Sequence, residues 1–222
     1  MQVFFSPKEL FEKLDEKPTW ILPMVTVIVV SLVMTLILLP TVIRPYTLEK
    51  LESGFQGSGE QLERARGIIA GPVIYASSLA SVILGIPAKI LIISGIYTLV
   101  LLPITGEGRF RKILSITSHS ALISALGGIV GGAIMLARKS VEISMGLSLF
   151  VPFVDKDTFL YRFLAQANFF TIWSLLVFGL GFSIVGKMTT KKSYIIVFSL
   201  WIVALLLGAV MGELRPSFSR FS

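Results

Sequence analysis

The chain has no cysteine, a single histidine and few charged side chains, 15% of 222 residues. Without cysteine there is no disulfide, no thiolate nucleophile and no Cys-based metal site, and the redox compartment leaves no mark. One histidine with no carboxylate at ligand spacing does not make a metal site either. The shortage of charge, against ~25% in ordinary soluble domains, is concentrated in stretches where it is nearly complete. No Asp or Glu occurs in Trp20–Ile43, Gly67–Thr105, Ile113–Ala137, Phe163–Gly186 or Ser193–Gly212, and Lys89 is the one Lys or Arg inside them.

Each of these five stretches can cross the bilayer, since ~30 Å of hydrocarbon takes roughly 20 helical residues at ~1.5 Å each. The expectation is an all-α, polytopic membrane helical bundle with five transmembrane helices, built as one domain over residues 1–222. The first run exceeds the ~7–15-residue core of a signal peptide and lacks a small-x-small site after it, so it is read as a retained span. A net charge of +7 would point to nucleic acid in a soluble protein. Here Lys and Arg sit in loops and at span ends, where headgroups and topology signals place them, and no nucleic-acid motif accompanies them. No nucleic-acid partner is expected.

Ser6-Pro7-Lys8-Glu9 reads as a helix start, with Ser6 as N-cap, Pro7 at the first position and Glu9 closing a capping box. Phe5 and Leu10 stand where a hydrophobic staple forms. Leu10, Phe11 and Leu14 make an apolar stripe opposite Lys8, Glu12, Lys13, Asp15 and Glu16, and Pro18 ends the helix. This short N-terminal amphipathic helix is expected at the interface, with Trp20 at headgroup level. Residues 44–66 read as a polar connection, flexible around Gly54, Gly57 and Gly59, whose helical end Glu60–Arg66 runs directly into the second apolar stretch.

That second stretch, 39 residues, measures on the order of 58 Å as one helix. It is either an overlong rod or a pair of crossings that turns back at Gly85-Ile86-Pro87. Basic density favours the rod: Arg109, Arg111 and Lys112 crowd one short loop, Lys187, Lys191 and Lys192 crowd another, and a single crossing puts both inside. The amino terminus is then cytoplasmic and the carboxyl terminus outside. Met145–Val154, apolar but too short to cross, is expected at the outer interface, with Asp155 or Asp157 capping the fourth span.

Several residues carry candidate chemistry. Lys89 reads either as part of an ion or substrate pathway or as a lysine that snorkels, because Thr105 lies sixteen residues beyond it, ~24 Å of helix. Pro87 frees the carbonyl of Ile83 beside it. His119, ringed by Ser115, Ser118, Ser120 and Ser124, is expected to hydrogen-bond between helices, with a proton relay as the alternative. A Ser-His nucleophile pair would need an orienting carboxylate, which the spans lack. Gly127–Gly131 and Gly128–Gly132 form overlapping small-xxx-small pairs; Gly208–Gly212 and Ser77–Ser81–Gly85 repeat the pattern. Such stripes let helices approach closely, within the bundle or toward another membrane protein or a second copy.

Pro7-x-x-x-Phe11 before Lys17-Pro18-Thr19-Trp20, the Gly106-Glu107-Gly108-Arg109-Phe110-Arg111 loop feeding a Ser-rich third span, and Phe169-Phe170-Thr171-Ile172-Trp173 leading to Gly179-Leu180-Gly181 together resemble the prokaryotic branch of the Yip (Ypt/Rab-interacting protein) domain family. The resemblance covers nearly the whole chain. It implies five membrane helices, a cytoplasmic amino terminus and a scaffold rather than an enzyme. Eukaryotic relatives act in vesicle traffic with Rab-type GTPases through a long cytosolic region. Only nineteen residues precede the first span here, so GTPase binding is not expected. Asn168 stands where relatives often have aspartate, so it keeps hydrogen bonding without charge.

The combined expectation is a non-enzymatic scaffold or membrane organiser in a prokaryotic cytoplasmic membrane, with no cofactor, whose partners are the lipid bilayer and other membrane proteins or a second copy. The rival is a small-solute or ion transporter using a helix break at Pro87 and Lys89 together with His119.

Overall fold

In lipid every backbone N–H and C=O must be satisfied internally, so each long apolar stretch becomes a helix. The computed structural model describes residues 2–55, 57–106, 109–141, 146, 153, 158, 164 and 167–214, with 209–214 by backbone only. Two short helices open the chain, α1 (Gln2–Phe5) and α2 (Pro7–Glu16), followed by α3 (Ile21–Leu38). A π-helical turn, Leu39–Ile43, leads without interruption into α4 (Arg44–Gly54). Pro40 has no N–H to donate, and the wider turn accommodates it without ending the helix. Next come α5 (Gly59–Ala70), α6 (Pro72–Thr105), α7 (Phe110–Arg138), α8 (Phe169–Val185) and α9 (Thr190–Leu214).

Four stretches, Ile21–Gly54, α6, α7 and Thr190–Gly208, are long and apolar enough to cross a membrane. α8 has 17 residues and is equally apolar, ~25 Å of helix. It returns the chain all the same. Arg109, ahead of α7, hydrogen-bonds the Val185 carbonyl at the end of α8, and Ser193, early in α9, bonds the Gly179 carbonyl in the same helix. The starts of α7 and α9 therefore share one end with the finish of α8. The result is an all-α polytopic membrane bundle.

α7 is the central helix, packed against α3, α6 and α8, while α9 lies on α8. The shared core gathers Tyr97 and Leu101 from α6, Ile113, Ile116 and Ile123 from α7, Phe178 and Phe182 from α8, and Val3, Phe11 and Leu14 from the amino terminus. Residues such as Leu22, Val29, Leu84, Leu99 and Leu207 stay exposed on the outer faces, as a lipid-solvated surface allows.

The second apolar stretch does form one continuous rod, α6, with Pro87 inside it. No break occurs at Pro87 and Lys89; in lipid, ending the helix there would strand further backbone groups, whereas the proline forfeits one bond. Upstream the expectation fails. Residues 44–54 are helical, and α5 stops at Ala70 because Gly71 is extended and Pro72 starts a new helix. Ser58 and Gln61 close a capping box on α5.

The amino terminus also departs from the expectation. The Ser6 side chain makes no cap hydrogen bond, the Ser6 backbone N–H donates to the Gln2 carbonyl of α1, and Phe5 is 84% exposed and staples nothing. Nor does α2 lie apart at the interface. Phe4 meets Trp173 edge-on at 6.0 Å, Phe11 is fully buried against the Gly181 region, and Asp15 reaches Lys112, so α1 and α2 run alongside α8 in its own direction. Met145, Val154, Asp155, Asp157, Phe163, Glu107 and Gly108 lie outside the described residues.

Candidate functional site

Polar side chains inside the spans join helices to one another. The Ser94 and Thr117 hydroxyls meet at 3.0 Å between α6 and α7, and Ser174 donates to the Ser120 carbonyl at 2.9 Å between α8 and α7. Tyr97 donates to the Val197 carbonyl at 3.3 Å, and Ser193 to the Gly179 carbonyl at 2.5 Å. The Ser120 hydroxyl itself is buried without a hydrogen-bond partner among the described residues.

His119 is half-buried, and its Nδ1 lies 2.8 Å from the Ser115 carbonyl one turn back on α7. A carbonyl only accepts, so Nδ1 carries the proton. The bond lies within one helix, not between helices as expected. Lys89 is exposed on α6, and among the described residues it has no ion pair and no hydrogen bond to His119. Asn168 caps α8 by accepting from the Thr171 N–H at 2.9 Å. Among the described residues no cluster of His, Asp and Glu could hold a metal ion.

The small residues divide by contact. A Cβ on Gly127 would lie 2.7 Å from the Cβ and Cγ of Phe170 in α8, and one on Gly132 would collide with Met34 and lie 3.1 Å from Leu38 in α3. Gly131 is buried; a methyl group added to Gly128 or Gly208 would have nothing within 4 Å, and the surroundings of Gly212 lie outside the described side chains. Ser77, Ser81 and Gly85 are all exposed. A groove of about 310 Å³ opens along Gly127, Gly128, Gly131 and Gly132, bounded by Leu38, Ser124, Met135, Asn168, Phe170 and Thr171.

Sequence reasoning missed two close approaches. A Cβ on Gly179 would lie 2.5 Å from the Tyr194 ring, and one on Gly181 would lie 2.7 Å from Ile116 and 3.0 Å from Phe11. The Gly179-Leu180-Gly181 spacing was the available signal, since residues two apart on a helix face different neighbours.

Another opening lies at the basic end of the bundle. Lys112 pairs with Asp15 at 2.7 Å, Ser115 Oγ donates to the Thr19 carbonyl at 2.7 Å, and the Arg109 guanidinium covers the Val185 carbonyl. These three contacts draw α2, α7 and α8 around a cleft of about 560 Å³ lined by Asp15, Pro18, Arg109, Phe110, Arg111, Lys112 and Lys187. α8 closes there as a Schellman turn, with Lys187 N–H bonded to the Ile184 carbonyl and Met188 N–H to the Ser183 carbonyl. Lys187 occupies the left-handed position, φ 48°.

Long apolar helices, hydroxyl bonds between them and exposed apolar outer faces define a multi-pass α-helical membrane protein. The Yip1 domain model matches residues 1–211, and the chain belongs to that family. It is 26% identical over 210 residues to Membrane protein YknW of Bacillus subtilis (strain 168), a match covering 94% of this chain and 84% of that protein. No solved structure matches it.

Proposed function

We propose that the chain is a non-enzymatic membrane scaffold, one Yip-type domain over residues 1–222, resident in a cytoplasmic membrane. One observation carries this reading: the hydroxyls of Ser94, Thr117, Ser174, Tyr97 and Ser193 are engaged between helices, and among the described residues no hydrogen bond joins Lys89 to His119. The spans are thus organised for association. The open faces at Gly128 and Gly208 and the outward Ser77–Ser81–Gly85 stripe offer contact area to another membrane protein or a second copy.

The end of the bundle where α2 finishes, near Asp15, is assigned to the cytoplasm, supported by Arg109, Arg111, Lys112 and Lys187 there and by the inside bias of basic residues in short loops. Anionic headgroups contact that end. Single cysteines at Ser53, Gly108 and Ser222 in this cysteine-free chain report sidedness to an impermeant thiol reagent. Gly108→Cys labelled from outside sealed cells rejects the assignment.

Cross-linking in intact membranes, followed by identification of neighbours, tests the scaffold. Reconstituted wild type and a Lys89→Met, His119→Ala double variant are compared for solute flux in parallel. Reproducible neighbours without flux support the scaffold. Flux that disappears in the double variant rejects it in favour of transport.

A further inference from the structure

We propose that the cleft between α2, α7 and α8 binds the phosphate of an anionic phospholipid headgroup. Four of its lining side chains, Arg109, Arg111, Lys112 and Lys187, are cationic against the single carboxylate of Asp15, which is already bonded to Lys112. Arg111 and Lys187 have no acidic partner among the described residues. Arg111 and Lys187 therefore bring to the cleft positive charge that no described carboxylate neutralises.

Helix electrostatics make that excess more costly. Arg109 is the N-cap of α7 and makes no side-chain cap hydrogen bond, Arg111 and Lys112 lie in its first turn, and no acidic residue occupies that turn. A helix N-terminus carries partial positive charge and unpaired N–H groups, so the Arg111 guanidinium in that first turn is disfavoured by the dipole and an anion beside it is stabilised. The local sequence runs opposite to the usual acidic first turn.

Lys187 adds a second anomaly. Its Schellman position takes glycine without steric penalty, whereas a side chain at φ 48° is strained. The fold accepts that strain and in return lines the cleft with a fourth cation. Arginine forks and ammonium groups around a concave opening of about 560 Å³ fit a phosphate monoanion. Phe110 and Pro18 give the same opening an apolar lip, which a glycerol and acyl chain can cover and a free ion cannot.

The inference rests on the reading that this end of the bundle meets headgroups, and the experiment separates the two. Full-length protein is reconstituted in mixed phosphatidylcholine and phosphatidylglycerol vesicles, extracted gently, and its retained lipids are counted by native mass spectrometry. Wild type retains phosphatidylglycerol preferentially. The Arg111→Gln, Lys187→Gly double variant retains it about tenfold less, two surface cations having been removed. It melts no lower than wild type, because Lys187→Gly relieves strain.

Lys191→Gln with Lys192→Gln, which removes two cations from the same end outside the cleft, leaves retention unchanged. Equal loss in both double variants overturns the cleft and leaves general headgroup contact standing. Absence of any phosphatidylglycerol preference in wild type overturns both. Inorganic phosphate, added to protein in phosphatidylcholine alone, is expected not to raise the melting temperature; a rise that needs Arg111 and Lys187, with lipid retention unaffected by their loss, assigns the site to a soluble anion and overturns the lipid proposal.

Discussion

Phe11 lies fully buried where Gly181 leaves α8 without a side chain, and a methyl group added to that glycine would come within 3.0 Å of the ring and 2.7 Å of Ile116. The glycine is what lets α2 join α7 and α8. Phe11→Ala is expected to destabilise the detergent-solubilised protein by about 3–5 kcal/mol, the range for emptying a buried aromatic site. Gly181→Ala approaches the same contact from the other side and costs about 1–3 kcal/mol through overpacking. Thermal unfolding checks both. Limited proteolysis should then cut before Pro18 in each variant and spare wild type; unchanged protection would remove α2 from the core.

The glycines of α7 and α9 separate in the same way. Gly127→Ala would press on the Cβ and Cγ of Phe170, atoms that cannot swing aside, and is expected to cost about 1–3 kcal/mol. Gly132→Ala meets chiefly the flexible end of Met34 and costs less. Gly208→Ala meets nothing within 4 Å, so its effect is neutral or favourable by up to ~1 kcal/mol, from helix propensity. The order of melting temperatures across these three variants is the measurement. A large loss at Gly208 in detergent would mean that the isolated bundle uses that face.

How much of this was legible follows from what lipid does to sequence signals. Span positions and the single rod of α6 could be read, because apolar length is an absolute requirement of the bilayer. The facing of a span could not. Lipid is as apolar as the core, so a helix such as α6 shows no polar stripe to distinguish inward Ser94 and Tyr97 from outward Ser77 and Ser81. Helix α4 was hidden by the polar, glycine-containing composition of residues 44–66, while a π-helical turn and a first-turn position absorb Pro40 and Pro45. At the basic end, the charges could be counted, but their convergence with Lys187 depends on how α8 ends against α7.

Asn168 caps α8 through its side-chain oxygen, 2.9 Å from the Thr171 N–H. Asn168→Ala removes that acceptor and is expected to cost about 1 kcal/mol. Asn168→Asp keeps the acceptor and adds negative charge beside a helix N-terminus, a further gain of about 0.3–1 kcal/mol. Melting temperatures should rank Asp at or above Asn, with Ala lowest. Equal stability of all three would show that the cap contributes nothing.

Ser120 offers a substitution expected to strengthen the bundle. Its hydroxyl is buried without a hydrogen-bond partner among the described residues, while its carbonyl accepts from Ser174 at 2.9 Å. Ser120→Ala deletes the orphan hydroxyl and keeps the backbone acceptor. A buried polar group left unpaired costs about 1–3 kcal/mol, and the vacated volume is that of a single oxygen, so the variant should melt at or above wild type. Ser174→Ala is the counterpart: it removes the donor that ties α8 to α7 and should lower stability by about 0.6 kcal/mol, the usual scale for such a bond in lipid. A drop at Ser120→Ala as large as that at Ser174→Ala would reveal a partner for the Ser120 hydroxyl in the membrane.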